Sequence, residues 1–316
     1  MNTPVTCLVT GGAGFIGSHL CDRLLEKGYR VVVVDNLITG SEKNVAHLLT
    51  HPQFTFLRKD VTQPFSFDFD RLDYVYHLAS PASPVQYRKL AIETLLVNSV
   101  GTYHMLELSR KTNAFFILAS TSEVYGNPRQ HPQKEAYFGN VNPIGIRACY
   151  DEGKRFAEAI TMEYVRKYEV KARIIRIFNT YGPRMQVHDG RVVSNFITQA
   201  ISQKSLTMYG DGLQTRSFCY ISDMVTGIIS AMEKKGIDGE VINLGNPDEQ
   251  TIKNIGILIL KLTQSSSQLM TAQKKQADDP ERRKPDIAKA KRLLNWYPRV
   301  ELAEGLVKTI DYFKHI

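Results

Sequence analysis

Tyr150 and Lys154 are the residues of this sequence whose types and spacing best suit acid–base chemistry. Of the 15 tyrosines, only Tyr150 is followed by a lysine four residues later, and the surrounding helical pattern puts both side chains on one helix face. A phenol has a pKa of about 10, so its use as a base near pH 7 requires about 4 kcal/mol of differential stabilisation of the phenolate. Because a nearby ammonium group supplies part of that stabilisation, the pair predicts a tyrosine base assisted by a lysine.

A glycine-rich turn supplies the second motif. The run TGGAGFIG has glycines at positions 11, 14 and 17, follows the strand pattern VTCLVT and leads into the helical pattern FIGSHLCDRLLEKG. The backbone amides of such a turn and the positive end of the helix bind a pyrophosphate. Asp35 ends the second strand pattern 18 residues after Gly17, where a carboxylate accepts hydrogen bonds from both ribose hydroxyls of an adenosine. Because that carboxylate repels a 2′-phosphate, the motif predicts NAD rather than NADP.

Composition and charge argue against several classes of function. The chain has 316 residues, 43% of them hydrophobic, and a net charge of +8. Much of the basic excess falls at 274–292, a segment dense in both signs, and no basic stripe alternates with aromatic residues as nucleic-acid binding requires. With no apolar run of about 20 residues and no signal-sequence pattern, we expect a cytoplasmic protein that does not bind membranes. The four cysteines lack metal-ligand spacing, so no metal site is expected.

Short β-branched runs alternate with longer amphipathic runs in the first half of the chain, which predicts a Rossmann-type, doubly wound parallel sheet. Strands are predicted at 5–10, 29–35, 54–60, 74–79, 114–121 and 172–179, and helices at 15–28, 92–110 and 150–168. We expect an NAD-binding domain with the catalytic residues at 1–178. A smaller α/β domain for the substrate is expected at 179–316, with part of 217–250 returning to the first domain.

Seven motifs resemble those of the extended short-chain dehydrogenase/reductase superfamily and, within it, of the UDP-glucuronate decarboxylases or UDP-xylose synthases: GGAGFIGSHL, ASTSEVYG, YDEGKR, RIFNTYGPRM, DGRVVSNFI, GDGLQTRSFCYISD and DDPERRKPDI. The resemblance covers nearly the whole chain, from Val5 to the region of Trp296. It implies an NAD-dependent enzyme that converts UDP-glucuronate to UDP-xylose and recycles its NAD. Besides Tyr150 and Lys154, it implies these cofactor-binding residues: Gly11, Gly14, Phe15, Ile16, Gly17, Asp35, Asn36, Thr39, Gly40, Asp60, Val61, Leu78, Ala79, Ser80 and Asn98.

The resemblance also implies roles for five catalytic residues. Tyr150 would take the proton of the sugar 4-hydroxyl as hydride passes to NAD⁺, with Lys154 lowering the phenol pKa and holding the nicotinamide ribose. Thr121 would bond the same sugar oxygen. The resulting 4-ketone is beta to the C5 carboxylate, so carbon dioxide can leave, and protonation at C5 with return of hydride yields the UDP-pentose. Glu123 would lie beside C5 and its carboxylate, and Arg216 would stabilise charge or relay the proton.

The substrate-binding residues implied by the same resemblance are Ser122, Glu123, Asn179, Arg191, Asn195, Arg216 and Arg283. Asn179 is expected at the phosphates or the sugar, and Arg191 and Asn195 along the nucleotide. Arg283 is expected at the diphosphate or the ribose, because a guanidinium binds such oxygens in bidentate fashion. For each of these residues, a surface position or a structural salt bridge is the alternative.

Two positions bear on which branch of the superfamily the chain resembles. Hexose 4,6-dehydratases carry Asp-Glu where this chain has Ser122-Glu123, and 4-epimerases lack the glutamate; both activities stay as alternatives to decarboxylation. The decarboxylases carry a lysine in a TxKTN stretch where this chain has Leu96, a loss for which Arg88 or Lys89 could compensate. A catalytically silent NAD-binding scaffold is a more distant alternative, since such scaffolds tend to lose the tyrosine–lysine pair.

The remaining predictions concern packing and assembly. His77 follows an apolar run and is interpreted as a hydrogen-bonded core histidine, and Tyr125 as a packing or substrate-lining residue rather than a second base. The helical stretches near 92–110 and 150–168 could pair across a two-fold axis to form the four-helix interface of a homodimer, as in relatives. Their amphipathic pattern would equally suit packing on the sheet.

Overall fold

A computed structural model describes residues 4–64, 69, 71–272 and 282–316. Its central sheet contains seven strands, all parallel, in the order β11-β6-β5-β4-β1-β2-β3. The strands are β1 (Thr6–Thr10), β2 (Arg30–Asp35), β3 (Phe54–Arg58), β4 (Tyr74–His77), β5 (Phe115–Thr121), β6 (Ala172–Ile177) and β11 (Val241–Leu244). The chain changes direction across the sheet between β1 and β4, the place where ligands bind in such folds. The predicted Rossmann-type fold is therefore confirmed.

The strands form because β-branched runs are buried on both faces of the sheet. All five residues of β1 and the last five residues of β2 are buried, so these strands are continuous apolar runs rather than alternating ones. The strands predicted at 54–60, 74–79 and 172–179 each extend two residues beyond the observed end of the strand. Those end residues leave the sheet because they line a cavity at its carboxyl edge.

Ten helices complete the described part of the fold: α1 (Phe15–Glu26), α2 (Pro84–Lys89), α3 (Ala91–Leu96), α4 (Thr102–Thr112), α5 (Ala148–Tyr168), α6 (Val192–Ile201), α7 (Ile221–Glu233), α8 (Ile252–Thr263), α9 (Ala288–Leu294) and α10 (Leu302–Lys314). The prediction of one continuous helix at 92–110 was wrong, because a π-helical turn, Val97–Gly101, separates α3 from α4. Within that turn, the Asn98 side chain donates to the Thr94 carbonyl at 2.8 Å and to the Ser80 hydroxyl at 3.0 Å. The widened turn thus allows the buried side chain of Asn98 to hydrogen-bond Ser80, which lines the cavity.

Three small sheets lie beyond the central one. They contain β7 (Thr180–Tyr181), β8 (Leu206–Tyr209), β9 (Thr215–Ser217), β10 (Cys219–Tyr220), β12 (Glu249–Thr251), β13 (Leu269–Ala272) and β14 (Arg282–Arg283). β9 pairs with β12 on one side and β14 on the other, which places Arg216 beside Arg283. Residues 274–281, the first part of the charge-dense segment at 274–292, lie outside the described residues, and with them the start of the DDPERRKPDI motif.

The second half of the chain returns to the central sheet through β11, which pairs with β6, and α7 packs against α1. His77 lies in the core, where its ring nitrogens hydrogen-bond the hydroxyls of Thr10 at 2.8 Å and Thr102 at 3.1 Å. Burial lowers the pKa of His77 to about 3, so the ring is neutral, consistent with the predicted core role. Within the described ranges, no helix has the length and apolar character needed to span a bilayer.

Gly17 packs so closely on the turn before α1 that no side chain fits there. A Cβ at position 17 would lie 2.2 Å from the Gly11 carbonyl oxygen. Gly28, after the other end of α1, has φ of +77° and open space around its Cα. We expect Gly17→Ala to lower the free energy of unfolding by about 2 to 3 kcal/mol through overpacking, and Gly28→Ala by about 1 kcal/mol through backbone strain alone.

Urea denaturation of the two variants measures this difference, and NAD titration measures its effect on the turn. Only Gly17→Ala should weaken NAD binding, because only that change displaces the amides of the turn. An equal loss of stability and affinity in the two variants would contradict the tight packing at Gly17.

Candidate active site

A cavity of about 1050 Å³ opens at the carboxyl edge of the central sheet, between the ends of β1 and β4 and the small sheets. This volume is as large as the largest small-molecule and cofactor sites. All of the predicted site residues except Asn98 line the cavity. Asn98 instead lies fully buried behind the wall and acts on it through Ser80.

The turn after β1 has the features of a pyrophosphate site. Gly14 precedes the first turn of α1, and no side chain caps the amides of that turn. Gly11 has φ of +72°, and a Cβ there would lie 2.8 Å from the backbone nitrogen of Ala79. The close approach of this backbone to the next loop leaves the helix end open to a phosphate, so the residues present fit NAD.

Asp35 lies where a dinucleotide's adenosine ribose is bound in this fold. Its carboxylate accepts hydrogen bonds from the backbone amides of Ala13 at 2.9 Å and Leu37 at 2.8 Å. Burial raises the pKa of Asp35, and the two amides lower it. Gly40 packs directly on this carboxylate, since a Cβ there would lie 3.0 Å from its oxygens. The carboxylate is thereby fixed at the cavity wall.

Tyr150 and Lys154 lie one turn apart on α5, as the helical pattern predicts, and both are buried. Burial raises the pKa of Tyr150 to about 12, while a hydrogen bond with Thr121 and the charge of Arg191 lower it. The Lys154 amine donates to the carbonyl of Ala119 at 2.8 Å. Burial lowers the pKa of Lys154 to about 7, against the opposing effect of the Glu158 charge. Burial therefore disfavours the charged form of both groups.

Glu123 follows β5 in a short 3₁₀ turn, and its carboxylate lies among arginines. Arg283 donates to it at 2.9 Å and Arg147 also pairs with it, while Arg283 donates in addition to the Ser122 hydroxyl at 3.0 Å. Burial alone would raise the pKa of Glu123, but Arg283, Arg147 and Arg216 lower it well below the usual range. Glu123 is therefore an anion at neutral pH.

Three residues of this cluster escaped the sequence analysis. The ring of Tyr87 stacks on that of Tyr150, with centroids 4.9 Å apart and planes at 4°, and the guanidinium of Arg147 lies 5.9 Å from the centre of the Tyr87 ring. Asp151 lies behind them, with a carboxylate oxygen 3.8 Å from Arg147. The only sequence signal was the position of Arg147 three residues before Tyr150, a spacing that puts two residues on one side of a helix. Arg147 directly precedes α5. Nothing in the spacing pointed to Tyr87.

The other predicted substrate residues lie around the same cavity. Arg191 is anchored by a hydrogen bond from its guanidinium to the Ala82 carbonyl at 2.9 Å. The backbone carbonyl of Asn179 accepts from Cys219 at 2.9 Å, and Asn195 lies in the first turn of α6. The guanidinium of Arg283, predicted at the diphosphate or ribose, lies against Glu123. Its contact with a diphosphate stays a prediction.

Leu96 lines the cavity with a side chain that is partly exposed. The residues proposed to compensate for the absent lysine, Arg88 and Lys89, are exposed and do not belong to the lining formed by the described residues. Compensation by either residue is therefore not supported. Tyr125 also lies outside that lining and donates to Asn243 at 2.8 Å, as expected for a packing residue.

Comparisons with known proteins agree with this arrangement. The model of the GDP-mannose 4,6 dehydratase family matches residues 8–309. UDP-glucuronic acid decarboxylase 1 of Arabidopsis thaliana is 50% identical over 98% of this chain and 69% of its own length. The enzyme of the same name from Xenopus tropicalis is 52% identical over 97% of this chain and 72% of its own.

Solved structures extend the likeness to the fold and its ligands. The UDP-glucuronic acid 4-epimerase of Bacillus cereus, solved with UDP-glucuronic acid and NAD, superposes with a TM-score of 0.88 at 32% identity, covering 98% of this chain and 99% of its own. The UDP-glucose 4-epimerase of Thermotoga maritima gives a TM-score of 0.88 at 30% identity, with the same coverage. The chain belongs to the GDP-mannose 4,6 dehydratase family of extended short-chain dehydrogenase/reductases, in the group of the UDP-glucuronic acid decarboxylases. The resemblance found in the sequence is thus confirmed.

The surroundings of Asp151 predict that the stability of the protein depends on pH. Burial and the Glu123 charge raise its pKa to about 7, whereas an unfolded aspartate titrates near 3.9. A raised folded-state pKa contributes stability below about pH 4 that is lost as pH rises toward 7. We expect Asp151→Asn to abolish this loss, so that the melting temperature of the variant minus that of the wild type grows from pH 5 to pH 8.

Differential scanning calorimetry across that pH range measures the effect. Glu152→Gln, which neutralises a partly exposed carboxylate in the same turn of α5, is the control for loss of a charge. A difference between Asp151→Asn and wild type that stays constant with pH would show that Asp151 ionises as it does in the unfolded chain.

Proposed function

We propose that this protein is an NAD-dependent decarboxylase that converts UDP-glucuronate to UDP-xylose through a 4-keto sugar. One observation carries the proposal. The chain is 50% identical, over 98% of its length, to a UDP-glucuronic acid decarboxylase, and its Glu123 stands at the end of β5 beside the hydrogen-bonded Tyr150 and Thr121. NAD is the cofactor, as in solved relatives.

Oxidation at C4 of the sugar is the first step. When bound, NAD⁺ accepts the hydride from C4 and returns it after carbon dioxide has left. Tyr150 removes the proton of the 4-hydroxyl, and Thr121 holds the same oxygen. Because burial raises the pKa of Tyr150 to about 12, the phenolate depends on nearby positive charge, which Arg191 supplies and to which the ammonium form of Lys154, one turn along α5, would add.

Loss of carbon dioxide follows from the position of the ketone, which is beta to the carboxylate and accepts the electrons of the breaking bond. Arg216 and Arg283 come to the site side by side on β9 and β14 and stabilise the charge of the substrate near Glu123. Glu123 lies beside C5 and fixes the arginines. Ser122 cannot donate a proton as the acid of a dehydratase would, and its hydroxyl instead accepts from Arg283 at 3.0 Å.

We further propose a division of labour along the chain. Residues 1–178, together with the β11 segment, bind NAD and hold the catalytic residues, and the rest of 179–316 binds the nucleotide sugar. The pairing of β11 with β6 supports the return of part of 217–250 to the first domain. We place the protein in the cytoplasm, because its four cysteines are all free, which suits a reducing compartment.

A homodimer is the assembly we propose. Apolar side chains stand exposed on the helices expected at the interface, Ile92 at 65% on α3 and Phe156 at 49% on α5, and these two helices pack side by side. Tyr103 on α4, which follows α3 after the π-helical turn, is also exposed, at 45%. A second copy packed on this surface would bury them in a four-helix arrangement.

Product analysis tests the activity. We expect UDP-glucuronate with substoichiometric NAD⁺ to release carbon dioxide and form a UDP-pentose. Tyr150→Phe should lower turnover by at least about a thousandfold and leave NAD affinity nearly unchanged, because it removes the base but preserves the ring that stacks on Tyr87. Nuclear magnetic resonance of the products distinguishes the alternatives. A C4 epimer that keeps all six carbons would make the protein an epimerase, and no product at all would favour a silent scaffold.

Light scattering tests the dimer. We expect the wild type to have twice the mass of one chain and Ile92→Glu combined with Phe156→Glu to have the mass of one, because the two charges would be buried in the interface. Val307→Glu, which changes a residue 51% exposed on α10, is the matched control and should stay dimeric. A monomeric wild type, or a double variant that stays dimeric, would refute the proposed interface.

A further inference from the structure

A largely buried ion pair near Lys154 takes no part in the proposed steps of the reaction. Arg176 of β6 binds Glu158 of α5 through two parallel hydrogen bonds, 2.9 Å from Nε to Oε1 and 2.7 Å from Nη2 to Oε2. Each side chain is only 12% exposed. Glu158 lies four residues after Lys154, so the two side chains share one face of α5.

The ion pair is joined to the strand that carries the active-site threonine. The Ser120 hydroxyl donates to Oε1 of Glu158 at 2.5 Å, and Ser120 directly precedes Thr121 at the end of β5. Lys154 is held to the same strand end, since its amine donates to Ala119 at 2.8 Å. Glu158 therefore contacts the backbone segment that positions Thr121 and lies on the helix that positions Lys154.

The opposite end of the network reaches the Glu123 turn. The second terminal nitrogen of Arg176 donates to the Tyr125 hydroxyl at 2.9 Å and to the carbonyl of Glu135 at 3.0 Å. Tyr125 in turn donates to Asn243 of β11 at 2.8 Å. The bidentate pair thus joins α5, β5 and β6, and through Tyr125 the turn that holds Glu123.

The charges around Lys154 come from few elements. Tyr150 and Glu158 face it from the same helix, α5. His77 of β4 is neutral, and Arg176 of β6 pairs with Glu158. Of these groups, Glu158 is the anion that favours the ammonium form of Lys154, against the cost of its burial. The base role of Tyr150 needs that ammonium charge.

We propose that Glu158 is a positioning residue for catalysis, which fixes Ser120 and the adjoining Thr121 and supplies the negative charge that stabilises the Lys154 ammonium group. Arg176 keeps the carboxylate in place. This inference rests on the proposed roles of Tyr150 and Lys154 in oxidation at C4, and it does not depend on whether the product is a pentose or an epimer.

The pH dependence of turnover tests the inference. In Glu158→Gln the amide keeps an acceptor for Ser120 but lacks the charge, so Lys154 loses its proton at lower pH. We expect the alkaline limb of the kcat profile to move down by about one pH unit, which means an activity loss of about tenfold on that limb. KM for UDP-glucuronate should change less than twofold, because Glu158 does not line the cavity formed by the described residues.

Three further variants separate this role from a purely structural one. Glu158→Asp keeps the charge and should restore most of the limb. The double variant Glu158→Gln, Arg176→Met removes the unpaired guanidinium left by the single change, and its limb should shift as in Glu158→Gln. Glu163→Gln, a charge change on an exposed part of α5, is the control and should leave the profile unchanged.

The readout keeps this inference separate from the proposed function. The rate of total product formation and the absorbance of reduced nicotinamide during a single turnover both report oxidation at C4, whichever product forms. An alkaline limb unmoved in Glu158→Gln and in the double variant would overturn the proposal. So would failure of all Glu158 variants to fold, which would make the ion pair a structural element only.

Discussion

The ion pair between Glu123 and Arg283 is the interaction on which the shape of the site depends. It joins residues 160 positions apart, one in the turn after β5 and the other on β14 of a small sheet. Arg283 is buried, so without Glu123 its guanidinium would be an uncompensated charge, at a cost of several kcal/mol. The turn after β5 and the small sheet of β9, β12 and β14 are therefore fixed to each other by the same carboxylate that we place beside the reacting carbon.

At Glu123 the charges of the arginines outweigh burial, whereas at the tyrosine–lysine pair burial outweighs the neighbouring charges. Burial raises the pKa of Tyr150 to about 12 and lowers that of Lys154 to about 7, so the protein interior favours the neutral form of both. The reactivity of the pair consequently depends on the charges placed around it rather than on the spacing of the two residues. Arg191 on one side and Glu158 on the other supply such charges from separate elements. The tyrosine–lysine motif thus identifies the position of the site, and the surrounding charges determine how readily the two residues ionise.

The sequence was sufficient for the features encoded locally. Continuous apolar runs specified β1 and β2, the glycine spacing specified the turn before α1, and the helical period put Tyr150 and Lys154 on one face. The stack of Tyr87 on Tyr150 and the Arg147 contact with Glu123 could not be predicted, because they bring together segments whose relative placement depends on the whole fold. The same reason explains Arg283, whose residue type was informative while its partner was set by the pairing of β14 with β9. The π-helical turn could not be predicted from the sequence, because a widened turn has the same residue pattern as a regular helix.

The side-by-side placement of Arg216 and Arg283 on paired strands has one more consequence. Like charges in such neighbouring positions repel, so this pairing of β9 and β14 depends on the negative charge gathered around it. Pairing of β9 with β14 and binding of anions beside these arginines are then coupled, so that each process favours the other. Binding of a charged sugar nucleotide beside these arginines would therefore stabilise the pairing of β9 with β14, and a product with one negative charge fewer would stabilise it less.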